Sequence, residues 1–204
     1  MNTEFYFRAA AIAVMLIGAP ISTYFRLKAD RETGESLSPT AEGLPIMIAL
    51  RVVGITLWAC VFAYLINPAW MSWSQVELPA WVRWLGLILG LGADALSYWV
   101  FSSLGNNVSP TVATRSAHQL VTNGPYRWVR HPLYSMGMIA YSGFALLAAN
   151  WFIALLSVVV FLILLVRLPQ EEARLVEKFG DEYRSYMTRT GKFLPRLSAQ
   201  RTIE

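Results

Sequence analysis

Residues 132–168 read PLYSMGMIAYSGFALLAANWFIALLSVVVFLILLVRL. No charged side chain occurs before Arg167, and Asn150 alone interrupts the two long apolar runs. A helix needs roughly 20 apolar residues to cross the hydrocarbon core of a bilayer. The stretches 132–149 and 151–168 fall just short of that and meet at Asn150, so they predict a tight helical hairpin.

Three further apolar segments precede the hairpin: 5–25, 44–66 and 81–104. The reading is an all-α integral membrane protein with about five transmembrane helices. The composition agrees: of 204 residues 55% are hydrophobic and 15% charged, against about 45–50% and about 25% in soluble domains. Mean hydropathy is +0.43. Arg8 precedes an apolar run as in a signal peptide, but Glu4 spoils the basic region and no small-residue cleavage site follows, so segment one is read as a retained helix. Cys60 stands alone, so a disulfide framework is excluded.

Basic residues cluster in 26–43, in 105–131 and after 168, whereas 67–80 and the Asn150 turn carry none. The positive-inside rule then places the three basic regions in the cytoplasm of an inner or cell membrane. Trp70, Trp73, Trp81, Trp84 and Trp151 mark the opposite interface. The modest net charge of +4, concentrated at helix ends, fits membrane orientation and speaks against a nucleic-acid partner. Arg51 and Asp94 fall inside predicted spans. An intramembrane charge is costly and usually paired, so an Arg51–Asp94 staple is the first expectation and a substrate or proton role the second. Gly86 and Gly90 form a small-xxx-small pair for helix packing that also permits a dimer; the sequence leaves monomer or dimer undetermined.

Upstream of the hairpin runs HQLVTNGPYRWVRHPLY, His118 to Tyr134, which holds both histidines of the chain. Gly124-Pro125 signals a turn. Pro132 suits a first helical turn, which puts His131 just before a helix N-terminus at the membrane surface. Free N–H groups there bind anions; the plainer reading is that Arg130 and His131 mark the interface. Downstream runs RLPQEEARLVEKFGDEYRSY, residues 167–186. Here Pro169 is expected to break helix five and the Glu171/Glu172 pair to open a new helix. Gly180 ends that helix, and Tyr183 and Tyr186 follow on another. This forms an amphipathic cap against the membrane, with Arg167 and Glu171 converging on the loop.

These two motifs together, with the two short helices between them, resemble the isoprenylcysteine carboxyl methyltransferase family over about residues 105–196. The related phospholipid N-methyltransferases share a looser form. The chain divides on this reading into a three-helix region, 1–104, and a methyltransferase region, 105–204. The resemblance implies a membrane enzyme using S-adenosyl-L-methionine. It implies cofactor contacts at His118, Gln119, Leu120, Val121, Tyr126, His131, Pro132, Leu133 and Tyr134. It also makes Glu171 a cofactor ligand and places Arg167 on the acceptor side, the two forming the catalytic pair. Where the family often has a polar amide seven positions before His118, this chain has Thr111. The acceptor is expected to be lipophilic, entering from the membrane lipids, with an isoprenylcysteine-like carboxylate as one candidate. An NADPH-dependent reductase of sterol-reductase type shares an Arg-His-Pro-x-Tyr element, but usually continues Gly-Glu where this chain has Ser135-Met136. A non-enzymatic membrane module is the third reading.

Overall fold

A computed structural model describes residues 3–34, 43–107 and 119–196. Among these, six α-helices carry the fold: α1 (Thr3–Thr33), α2 (Leu44–Ile66), α3 (Ala80–Leu104), α4 (Pro132–Ala148), α5 (Trp151–Phe179) and α6 (Asp181–Arg189). Helices α1, α2, α3 and α5 are long and apolar enough to cross a membrane. The fifth expected span, α4, has only 17 residues. At 1.5 Å per residue it extends about 25 Å, short of the roughly 30 Å hydrocarbon core. It is the inner partner of the bundle, packed along α3 and also against α1 and α5. The protein is an integral, multi-pass membrane protein.

The α3–α4 contact is close because both helices present glycine. A Cβ on Gly86 would lie 2.6 Å from the Gly143 carbonyl oxygen, and one on Gly143 would lie 2.8 Å from that of Gly86. Gly90 is covered by Val14 of α1 in the same way. The Gly86/Gly90 face is therefore consumed within the chain and offers no dimer surface. The core behind it joins Phe7, Ala11 and Val14 of α1 to Leu57 and Val61 of α2 and Leu147 of α4.

The expected α4–α5 hairpin forms. Ala149 adopts left-handed backbone with φ 47°. The Asn150 carboxamide oxygen accepts from the N–H groups of Phe152 and Ile153 at 3.1 and 3.0 Å, capping α5, while its amide donates to Ser74 Oγ at 2.8 Å. The 3-10 segment Pro68–Ser74 thus ties the α2–α3 connection to the hairpin.

Ion pairing within the bundle departs from expectation. Arg51 is exposed, and α2 turns its inward face to α5 and α1 rather than to α3. Asp94 is 7% exposed at the α1–α3 interface, where Gly18 makes room for its carboxyl group, and Oδ2 has no hydrogen-bond partner. No Arg51–Asp94 staple exists. The helices are pinned instead at the tryptophan-rich end. Arg83 forks onto Glu4 at 2.7 and 2.8 Å, donates to the Leu147 carbonyl, and lies 3.8 Å from the centre of the Phe7 ring. Tyr64 donates to Glu4 at 2.8 Å, and Arg8 donates to the carbonyls of Leu65 and Ile66.

The largest departure is at Pro169. Helix α5 does not break there but runs 29 residues from Trp151 to Phe179. Proline in a helix interior removes a hydrogen bond and crowds the carbonyl four residues back, costing about 3 kcal/mol or more. Glu171 and Glu172 follow at once, and their ties to Arg130, His131 and Tyr134 hold the segment in helical register.

Candidate active site

At the end of the bundle opposite the tryptophans, a cavity of about 420 Å³ opens between α1, α3, α4, α5 and α6. A pocket of this size falls in the range of small-molecule sites. Each wall traces to a sequence feature. Gly124, with φ 55°, starts the turn Gly124–Arg127 and is pressed against Ser103 of α3, where a Cβ would collide with the hydroxyl. That close approach sets Tyr126 in the cavity wall, 8% exposed. Leu120 and Val121 of the same loop also line it. Pro132 starts α4 as expected, and Leu133 and Tyr134 face the cavity from its first turn.

Arg167 and Glu171 lie one turn apart on the continuous α5, so both reach the same space. Their side chains are 3.7 Å apart, and Tyr134 donates its hydroxyl to Glu171 Oε2. Tyr183 and Tyr186 of α6 close the roof. Tyr186 donates to the Tyr126 carbonyl at 2.7 Å, and burial pushes its phenol up to about 12. Burial likewise raises Tyr183 and Tyr126. All three remain neutral hydroxyls at physiological pH.

The sequence reading missed the node that holds this site. Glu172 is 8% exposed. It accepts from Arg130 Nε at 3.0 Å, lies 3.2 Å from His131 Nε2, and has Lys192 Nζ at 3.7 Å. Arg130 also donates to the carbonyls of Thr190 and Met187. The Arg130 and His131 N–H groups donate to Gly191 and Lys192, so residues 190–193 are strapped along the 128–131 loop. A charged group buried this deeply is tolerated only when it is fully paired. The Glu-Glu pair divides its work: Glu171 faces the cavity and Glu172 the strap. The resemblance singled out Glu171 and left Glu172 without a role, because the His131 and Arg130 partners of Glu172 lie 41 and 42 residues away.

Of the other expected site residues, His131 lines the cavity, its ring stacked on Tyr134 at 5.5 Å between centres. Gln119 is exposed and does not line it; its N–H donates to Asn107 Oδ1, and Asn107 does. Pro132 is buried behind the wall. His118 and Thr111 lie outside the described residues. The expected anion site at the start of α4 is largely used up. The Tyr134 and Ser135 N–H groups both donate to the His131 carbonyl, and Pro132 has none to offer. Among the described residues no cluster of His, Cys, Asp and Glu is suited to hold a metal ion.

Residues 84–177, which contain the α3, α4 and α5 walls of this cavity and the α4–α5 hairpin, match the isoprenylcysteine carboxyl methyltransferase (ICMT) family. Over these residues the chain is similar to that family. Protein-S-isoprenylcysteine O-methyltransferase of Rattus norvegicus is 28% identical over 127 residues, 60% of this chain and 44% of that one. The Schizosaccharomyces pombe protein of the same name is 37% identical over 94 residues, 45% and 40% of the two chains. The cobalt-zinc-cadmium resistance protein CzcN of Cupriavidus metallidurans is 29% identical over 174 residues, 83% and 77%. The chain spans less than half the length of the ICMT relatives from rat and S. pombe. The solved structure of a eukaryotic intramembrane Ras methyltransferase, ICMT, superposes with a TM-score of 0.64 at 20% identity, covering 96% of this chain and 68% of that one. The fold is therefore that of the ICMT membrane bundle. These relatives lend the reductase reading no support.

Proposed function

We propose that the protein is a membrane methyltransferase that uses S-adenosyl-L-methionine and methylates a lipophilic acceptor, with an isoprenylcysteine-like carboxylate as the leading candidate. The observation that carries this reading is the meeting of Glu171 and Arg167 in one cavity with the tyrosines of the Gly124–Arg127 turn, α4 and α6. The residues present fit the donor: an acid flanked by aromatic faces suits a molecule bearing ammonium and sulfonium charges, and the volume suits its size. Held there, the donor would supply a methyl group from its positively charged sulfur to the acceptor oxygen, the sulfur–carbon bond breaking to leave a neutral thioether.

Such an in-line transfer needs positioning rather than a strong acid or base. Glu171, oriented by Tyr134 and Arg167, holds the ammonium group or the ribose hydroxyls. Tyr126, Leu120, Val121 and Leu133 shape the wall against the donor. Arg167 orients an acidic acceptor through its forked guanidinium. The neutral phenols of Tyr183 and Tyr186 exclude water without adding charge. His131 supports the wall through Glu172 and Tyr134. His118, Gln119 and Pro132 complete the proposed donor loop. The basic end of the bundle faces the cytoplasm, where the donor is made, and the acceptor enters from the surrounding lipid.

Calorimetric titration of S-adenosylhomocysteine and, separately, NADPH into detergent-purified protein tests the proposal. Binding of the homocysteine product, lost in Glu171→Ala, is the expected result. Binding of NADPH alone overturns it in favour of a reductase, and binding of neither by folded protein removes the enzyme reading.

A further inference from the structure

The roof of the cavity carries a hydroxyl that the folded chain does not use. Tyr183 of α6 is 1% exposed and lines the cavity, and its Oη has no hydrogen-bond partner among the described residues. The neighbouring phenols are committed. Tyr186 donates to the Tyr126 carbonyl, and Tyr134 donates to Glu171 Oε2. Burial keeps water from the Tyr183 hydroxyl as well. A buried polar group left unpaired is destabilising, so this one calls for a partner from outside the chain.

The surroundings define that partner. The Tyr183 and Tyr186 rings lie 5.8 Å apart between centres. Tyr126 is tied to Tyr186, and Leu175 follows Glu171 by one turn on α5, toward α6; all of them line the cavity. Ring faces and a leucine thus enclose this end, with the Tyr183 hydroxyl in the wall. The charges of Glu171 and Glu172 both act on that hydroxyl, and Arg130, the nearby cation, is already paired with Glu172. A ligand carboxylate or phosphate is therefore disfavoured there. A ligand ammonium finds its counter-charge at Glu171. The group that suits the roof is neutral and planar, with hydrogen-bonding atoms on its edge. A purine base has that character, and aromatic faces suit it.

We infer that Tyr183 is a base-reading residue of the donor site: its hydroxyl hydrogen-bonds the edge of the adenine of S-adenosyl-L-methionine, which lies under the α6 roof beside Tyr126 and Tyr186. The inference rests on the methyltransferase reading and adds an orientation to it. The base lies near Leu175, and the reactive sulfur points toward Arg167, two turns back along α5. A site built around such a bond discriminates against ligands that lack the matching group.

The test is calorimetry on full-length protein in detergent. Wild type, Tyr183→Phe and Tyr186→Phe are titrated with S-adenosylhomocysteine, adenosine and S-ribosylhomocysteine, and each is melted without ligand. Phenylalanine keeps the ring and removes only the hydroxyl. Loss of one hydrogen bond between neutral groups weakens binding roughly three- to tenfold. Tyr183→Phe is expected to show that loss for S-adenosylhomocysteine and adenosine, and none for S-ribosylhomocysteine, which has no base. Ligand-free Tyr183→Phe is expected to melt at or above the wild-type Tm, because an unpaired polar atom is gone. Tyr186→Phe melts lower, because it loses its bond to Tyr126. A lowered ligand-free Tm in Tyr183→Phe reveals a partner within the protein and overturns the inference. Equal weakening of S-ribosylhomocysteine also overturns it, by moving the contact off the base. Unchanged S-adenosylhomocysteine affinity in Tyr183→Phe overturns the inference and leaves the methyltransferase reading standing. Failure of wild type to bind S-adenosylhomocysteine overturns both.

Discussion

At the scale of single residues, two adjacent glutamates do different jobs. Glu171 reaches the cavity, and on the proposed function Glu171→Ala removes a donor contact; Arg167→Ala, at the proposed acceptor side, is expected to lower turnover with little change in donor affinity. Steady-state kinetics on both variants checks this split, and equal loss of donor affinity in both defeats it. Glu172→Ala has another effect. It strands Arg130 and His131, which are 9% and 5% exposed. Removing one partner of such a buried pair costs about 3–5 kcal/mol. Thermal unfolding in detergent should show a Tm loss larger than that of Glu171→Ala. Tyr186 adds a pH signature. Burial holds its phenol up to about 12 against an ordinary value of 10.0. Its stabilising contribution is fully present below about pH 10, where the unfolded phenol is also neutral, and is lost as pH rises toward 12. Tyr186→Phe, which keeps the ring and removes the titration, should flatten the alkaline loss of Tm.

At the scale of elements, close packing and one proline decide the architecture. Gly86→Ala or Gly143→Ala forces α3 and α4 apart, because backbone atoms occupy the space a Cβ needs. Overpacking of this kind costs about 1–3 kcal/mol, and the loss should appear as lowered thermal stability rather than altered oligomeric state. A change in oligomeric state by size-exclusion chromatography with light scattering would contradict the internal use of that face. Pro169→Ala restores a helical hydrogen-bond donor within α5. The expected outcome is an equal or higher Tm with unchanged S-adenosylhomocysteine affinity, since Glu172 and its partners already hold the register. A variant that loses donor binding would instead show that the proline sets the angle of Glu171.

At the scale of the whole molecule, the hydropathy pattern carried the class of the protein. Runs of apolar residues and the distribution of Lys and Arg are local properties, so spans at 44–66 and 81–104 were legible to within a residue or so, as was the Asn150 hairpin. Trp70, Trp73 and Trp81, which the sequence assigns to one interface, are 58–67% exposed. Sidedness is the whole-molecule prediction. A cysteine placed at exposed Lys192, in a Cys60→Ala background, should react with impermeant maleimide only after the cytoplasmic face is opened; labelling of intact cells would reverse the orientation.

The sequence by itself determined that this chain crosses a membrane several times and carries two motifs, 118–134 and 167–186, whose described residues line one cavity. Short-range rules sufficed there: apolar run length, turn residues, and the one-turn spacing of Arg167 and Glu171. Only the tertiary structure decided which charges meet. Arg51 and Asp94 sit at plausible depths but on helices that do not pack, whereas Glu4 and Arg83, 79 residues apart, form the actual clasp. Only the fold gave Glu172 its partners Arg130 and His131, carried α5 through Pro169, and brought Arg26 of α1 to the cavity wall. Each of these depends on distant partners whose approach is set by packing, and a local pattern contains no record of it.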